Sequence, residues 1–145
     1  MMLIESDVLY AYVKADDWLK PVARKLIKMI EEGCFGEVYA SREVLHELYY
    51  VSVNEGVSLD ELISRTASLV NIKNLVFLET DATTDLLAFT LMRQYGLTSL
   101  FDAYYAATTL SKVQDRTIVS TDKVFDKIPV IRRVDPRGLV GGGKE

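Results

Sequence analysis

Residues 97–111 read LTSLFDAYYAATTLS, and this stretch decides how the rest of the chain is read. It predicts a helix, with Thr98 or Ser99 as N-cap. Leu100, Ala103, Ala106, Ala107 and Leu110 recur at helical spacing on what should be the inward face. Asp102 falls in the first turn, where the helix dipole favours a carboxylate. The dipole does not explain a carboxylate on so apolar a helix, because buried carboxylates need partners. The expectation is that several carboxylates meet at a metal ion and that Asp102 is this helix's contribution.

Upstream, Met2 to Glu5 reads as a first strand, and Ser6 or Asp7 as the cap of a helix beginning VLYAYV. Asp16 and Asp17 open a second helical pattern through Trp18, Leu19, Val22, Ala23, Leu26, Ile27 and Ile30, stopped by Gly33. Trp18 is expected in the core, or else on a contact surface. Glu37 to Ser41 is a short second strand, and Ser41 caps a helix from Arg42 to about Asn54. Ser58 and Glu61 form a capping box for a helix through Val70. Asn74 to Leu78 is a third strand. Thr80 or Asp81 starts a helix ending near Gly96. Downstream, Thr117 to Ser120 is a fourth strand, Thr121 to Lys123 a turn, and Val130 to Val134 a last strand. Pro136 and the glycines at 141–143 mark a frayed end.

Strands alternating with helices imply an α/β fold: a three-layer α/β/α sandwich with a mainly parallel central sheet. The 145 residues are expected to form one domain over 1–138, followed by a flexible tail over 139–145. Hydrophobic residues make up 49% of the chain and charged residues 26%, an ordinary globular balance. The single Cys34 excludes an intrachain disulfide framework and a multi-cysteine zinc site, and reads as a packing or loop residue. No apolar run is long enough to span a bilayer, and no basic segment precedes MMLIESDVLYAYV, so a cytoplasmic protein without a secretory signal is expected. The net charge of −4 argues against a passive nucleic-acid binder but not against a metal-dependent nuclease.

In a parallel sheet, ligand sites lie beyond the carboxyl ends of the strands, where strand order reverses. Glu5 and Asp7 follow strand one, Asp122 follows strand four, Asp102 opens the helix before strand four, and Glu47 lies on the helix after strand two. They reach one crevice if strands one and four are neighbours. A cluster of hard oxygen ligands suits Mg²⁺ or Mn²⁺ rather than zinc. Each acid also has a plainer reading: Asp7 as a cap, Asp122 as a turn residue, Glu47 as a solvated helix position. His46 and Glu47 do not make a zinc-protease motif, because Tyr50 stands where the second histidine belongs. The tyrosines at 49, 50, 104 and 105 read as core or rim aromatics, with base stacking as the alternative.

Four segments together resemble the PIN-domain ribonucleases, in particular VapC-like toxins of archaeal type: IESDVLYAYV, REVLHELYYV, LTSLFDAYYAATTL and IVSTDKVFDKIP. The resemblance spans nearly the whole chain. It implies that Asp102 and Asp122 are the third and fourth acids of the family, and that Glu47 is the glutamate of the middle helix. Ser120 corresponds to the small hydroxyl residue beside the last acid, and Phe125 to the aromatic after it. The first segment departs from the family: Glu5, Ser6 and Asp7 stand where Asp, a small residue and Asn or Ser are usual. Asp7 is favoured as ligand, with Glu5 close behind.

The resemblance implies a Mg²⁺- or Mn²⁺-dependent endoribonuclease using Asp7, Glu47, Asp102, Asp122 and Ser120, with Glu5 as a further ligand. It also implies RNA as substrate, a homodimer, and an antitoxin partner if the chain is the toxin of such a pair. Arg42, Lys123 and Lys127 are candidates for flanking phosphates. The rival reading is a catalytically weak or inactive PIN-fold module that binds RNA or protein. A flap-type DNA nuclease of similar fold fits less well, since no arch insertion is evident.

Overall fold

The computed structural model describes residues 1–141. Its sheet runs in the order β3-β2-β1-β4-β5, with every pair parallel. The strands are β1 (Leu3–Ile4), β2 (Val38–Ser41), β3 (Leu75–Leu78), β4 (Thr117–Val119) and β5 (Arg132–Val134). Around them pack α1 (Ser6–Val13), α2 (Lys20–Glu31), α3 (Glu43–Asn54), α4 (Leu59–Val70), α5 (Ala82–Tyr95), α6 (Leu100–Lys112) and α7 (Pro136–Leu139), giving the expected α/β/α sandwich. The central strands β1 and β4 are buried throughout. They read as unbroken apolar runs because helices cover both faces of the sheet.

β1 is the switch point. Its register pairs Leu3 with Tyr39 on one side, and Leu3 and Ile4 with Ile118 and Val119 on the other. The Glu5 backbone N–H continues the ladder, donating to the Val119 carbonyl at 3.0 Å. Strands one and four are therefore neighbours, and their carboxyl ends open side by side.

The caps follow the side-chain chemistry, with shifts. Ser99 accepts from the Asp102 N–H at 3.3 Å and caps α6. Asp81 and Thr84 form a reciprocal capping box at α5, and Ser58 accepts from the Glu61 N–H at 3.1 Å at α4. Gly96, at φ +70°, ends α5 in the left-handed region and turns the chain into α6. The cap of α1 is Glu5, not Ser6 or Asp7, because its carboxylate folds back to accept the Asp7 N–H at 3.1 Å. α2 begins at Lys20, later than Asp16 or Asp17. Asp17 instead closes a turn by accepting the Leu19 N–H at 2.9 Å, and Pro21 sits in the first turn it tolerates. α3 begins at Glu43, whose N–H donates to Ser41 Oγ at 3.1 Å.

Ala103, Ala106 and Ala107 are buried as expected, whereas Leu100 is 40% exposed and Leu110 only partly covered. Tyr105, Thr108 and Thr109 complete the inward face instead, and Thr109 returns its hydroxyl to the Tyr105 carbonyl at 2.8 Å. Trp18 is 69% exposed, outside the core, with the Arg137 guanidinium 5.5 Å from its ring centroid. Cys34 is exposed in the turn after α2. β5 starts at Arg132, and Val130 is exposed before it. Pro136 does not fray: it is buried at the start of α7, capped by Asp135, and Val140 beyond it is also buried. Of the expected tail and glycine run, residues 142–145 lie outside the described residues. No helix among the described residues is long and apolar enough to cross a membrane.

Candidate metal and phosphodiester site

The β1–β4 neighbourhood binds the ends of the two strands into one hydrogen-bonded cluster. Glu5, 4% exposed, uses both carboxylate oxygens: Oε1 accepts the Ser120 hydroxyl at 2.6 Å, and Oε2 accepts the Ser6 hydroxyl and the Asp7 N–H. Ser120, fully buried, also accepts the Asp122 N–H on its Oγ at 2.9 Å. One hydroxyl thus ties the first acid to the backbone of the last. Asp7 reaches across in the opposite sense. Its Oδ2 accepts the Thr121 N–H at 2.8 Å and the Thr121 hydroxyl at 2.6 Å, while Oδ1 takes the Val8 N–H at 2.8 Å. Asp122, exposed, caps a 3-10 helix over Lys123–Lys127 by accepting the Val124 N–H at 2.9 Å.

Across from this cluster stand α3 and α6. Glu47 accepts a hydrogen bond from the Tyr105 hydroxyl at 2.5 Å. Tyr105 is fully buried, so its phenol fixes one Glu47 oxygen from the protein side. Tyr10 adds a second phenol near the same glutamate. Its Oη is buried and has no hydrogen-bond partner among the described residues. Burial first, and Glu47 next, push both phenols upward and keep them protonated. Asp102, half-buried, donates its N–H to the cap but makes no carboxylate hydrogen bond among the described residues.

The electrostatics record how closely these acids crowd. Burial, followed by the charges of Asp122, Glu47 and Asp7, pushes the Asp102 carboxyl up to about 6. Burial and then Asp7 hold Glu5 well above the usual carboxylate range, against the lowering pull of the Ser120 and Ser6 hydroxyls. Asp7 is raised by burial and pulled back by its bonds to Thr121. All five expected acids therefore share one region at the carboxyl end of the sheet, with Ser120 inside it. They do not form a ready coordination sphere: among the described residues no three acidic, histidine or cysteine groups stand together as ligands of one ion.

The donor set nevertheless fits a hard divalent cation. The Asp102 carboxylate, one oxygen of Asp122 and one of Glu47 carry no hydrogen bond among the described residues. Acids raised by their neighbours' charge are what a cation relieves. Of the expected phosphate contacts, Arg42 is paired with Glu79 at 3.0 Å, while Lys123 and Lys127 are exposed beside Asp122.

Sequence reasoning did not single out the supports. Thr121 read as a turn residue and Ser6 as a cap; each instead holds a site carboxylate. Tyr105 lies three residues after Asp102, on the same side of the helix, and that spacing was the available signal for its role.

The PIN domain family model matches residues 2–131. Similar solved structures include VapC20 from Mycobacterium tuberculosis, a toxin that cleaves the sarcin–ricin loop; identity is 17% and the TM-score 0.69, covering 87% of this chain and 93% of that one. VapBC2 from Rickettsia felis, bound to a DNA fragment from its promoter, matches at 16% identity and TM-score 0.70, covering 93% and 98%. A toxin–antitoxin complex from Klebsiella pneumoniae matches at 15% identity and TM-score 0.62, covering 94% and 98%. No curated protein matches the chain by sequence. At such identities the structural likeness speaks to the fold.

Proposed function

Because the chain belongs to the PIN domain family, we propose that it is a Mg²⁺- or Mn²⁺-dependent endoribonuclease acting at the crevice of Asp7, Glu47, Asp102 and Asp122. The observation that carries this reading is the convergence of β1, β4, α3 and α6 on one acid-lined region at the strand switch. Asp102, Asp122 and Glu47 would hold the ion, with Asp7 preferred to Glu5 as the acid from the start of α1, just past β1. Lewis acidity toward the scissile phosphate is what such an ion supplies when bound.

The chain's own residues do the positioning. Tyr105 orients Glu47 by its short hydrogen bond. Ser120 locks Glu5 against the Asp122 backbone, and Thr121 holds Asp7. Glu5, buried and with both oxygens engaged, serves as a strut beneath the ligands. Water then attacks phosphorus in line with the leaving ribose oxygen, without a protein nucleophile.

The toxin–antitoxin complexes among the similar structures support an antitoxin partner as a further part of this reading; a homodimer belongs to the same reading through the family resemblance. The test is cleavage of single-stranded RNA by purified protein with Mn²⁺ or Mg²⁺, abolished by EDTA and by Asp102→Asn. Cleavage that persists in Asp102→Asn overturns it.

One observation favours a second reading, a non-catalytic binding module. The oxygens of Glu5 and Asp7 are spent on hydrogen bonds, and no formed ligand trio exists among the described residues. Calorimetric titration with Mn²⁺ separates the two: a module gives no binding heat that Asp102→Asn removes.

A further inference from the structure

One four-residue pattern occurs twice in the chain: DVLY over residues 7–10, at the start of α1, and DAYY over 102–105, at the start of α6. In each, an acid of the first turn is followed three residues later by a tyrosine on the same side of the helix. Asp7 and Asp102 belong to the acid-lined region at the strand ends. Tyr10 and Tyr105 stand one turn further along their helices. Both helices pack against α3, which carries Glu47. Two phenols thus approach one glutamate from different helices.

Their hydroxyls differ. Tyr105 donates to Glu47 Oε1 at 2.5 Å. The Tyr10 oxygen is buried and has no hydrogen-bond partner among the described residues. Thr108 Oγ1 shares that condition, but a helical threonine can turn its hydroxyl to the carbonyl four residues back. A tyrosine hydroxyl is too far from its own backbone to do so. Folded proteins seldom leave a buried donor unmatched, and each case calls for a partner that the resting arrangement does not supply. Two carboxylates act on this phenol, Glu47 more strongly than Glu5. Glu5 has both oxygens engaged, with Ser120, Ser6 and the Asp7 N–H. Glu47 accepts one hydrogen bond among the described residues, and a carboxylate has room for about four. Glu47 is therefore the acceptor within reach that has capacity left.

We propose that Tyr10 is a second positioning residue for Glu47, whose hydroxyl donates to that carboxylate in the ion-loaded protein, so that Glu47 is held between two phenols. The role rests on the metal-dependent reading of the site. Glu47 has a long, freely rotating side chain, and ordering it on binding costs entropy. One phenol fixes one oxygen and leaves the carboxylate free to turn about it. A second phenol fixes its plane. Partners of this kind, behind the groups that touch an ion, set ligand orientation and affinity. The unmatched donor weighs on the ion-free form alone, so its pairing favours the loaded one.

The test is calorimetric titration of the full chain with Mn²⁺ alone, without RNA. Tyr10→Phe keeps the ring and should bind Mn²⁺ about tenfold more weakly, the low end for losing a partner behind a metal ligand. Its melting temperature in EDTA should equal or exceed that of wild type, because the hydroxyl it loses has no partner there. Tyr105→Phe should lower both the affinity and the melting temperature, since its bond to Glu47 exists without the ion. In a Glu47→Gln background, Tyr10→Phe should cost no further affinity, as expected of two residues that act through one contact.

Unchanged Mn²⁺ affinity in Tyr10→Phe overturns the role and leaves the nuclease reading standing; a melting temperature lowered in EDTA as well assigns Tyr10 to packing alone. An equal loss of affinity in the Glu47→Gln background shows that Tyr10 acts elsewhere, and also overturns the role. The expected weakening, in a chain that cuts no RNA, upholds the role and refutes the nuclease reading. A wild-type chain that binds no Mn²⁺ refutes both.

Discussion

Replacing Asp102 by asparagine should stabilise the metal-free protein at neutral pH. The Asp102 carboxyl sits at about 6 in the fold, against 3.8 for the free group, because burial and then Asp122, Glu47 and Asp7 oppose its charge. Between those values the folded chain binds more protons than the unfolded one. Stability therefore falls as pH rises from about 4 to about 6, and stays reduced above. A gap of roughly two units at 1.36 kcal/mol each sets a ceiling of about 3 kcal/mol. The side chain is only half-buried, so solvent screening reduces this to about 1–3 kcal/mol. Asparagine has the same shape, carries no charge, and leaves no hydrogen-bond donor unsatisfied among the described residues, since none is aimed at the carboxylate. Melting in EDTA should show the variant roughly 2–12 °C above wild type at pH 7, at about 2–4 °C per kcal/mol. The gap should close towards pH 4. With saturating Mn²⁺ the order should reverse, because only the intact acid set gains binding energy. A variant that melts at or below wild type at pH 7 without metal, or a gap of equal size at pH 4, refutes the claim that these acids strain one another.

Other substitutions probe the supports. Ser120→Ala removes the hydroxyl that serves Glu5 and the Asp122 N–H, leaving buried polar groups unpaired; a loss of about 1–3 kcal/mol should appear in urea denaturation, with m unchanged. Tyr105→Phe deletes the bond to Glu47 without opening a cavity, and should lower stability by about 1.5–3 kcal/mol in the same assay. Gly96→Ala forces a side chain into the left-handed region at φ +70° and should cost about 1 kcal/mol, read as a lower melting temperature with Mn²⁺ binding intact.

Much of this architecture was legible because the pattern and its punctuation agree. The apolar strands, the Ser58 and Asp81 capping residues and Gly96 each carry a local signal that packing leaves in force. The fold class followed from the alternation of those segments. The strand order cannot be read from local pattern, yet the adjacency of β1 and β4 is what brings residue 5 beside residue 120. The misread details are places where a longer-range contact wins. Pro136 looks like a terminator and is a buried helix start against α2. Trp18 is apolar by type, but Asp17 turns the chain before α2 and leaves it outside. Leu100 occupies an inward helical phase, yet it lines a concavity between α3 and α6 instead of the core. At the site, residue type announced the acids, whereas Thr121 and Tyr105 became visible as their supports once the pairing partners were known.

The centre of the sheet has a consequence for synthesis. β1 emerges first, but the strand that completes its second edge begins at residue 117, and the contacts between Asp7 and Thr121 and between Glu5 and Ser120 span more than a hundred residues. A growing polypeptide that ends before β4 has four of its five acids and no crevice to gather them. Vectorial translation therefore delays assembly of the site until nearly the whole chain has been made, and a fragment lacking the last quarter should be inert towards RNA whatever metal is supplied.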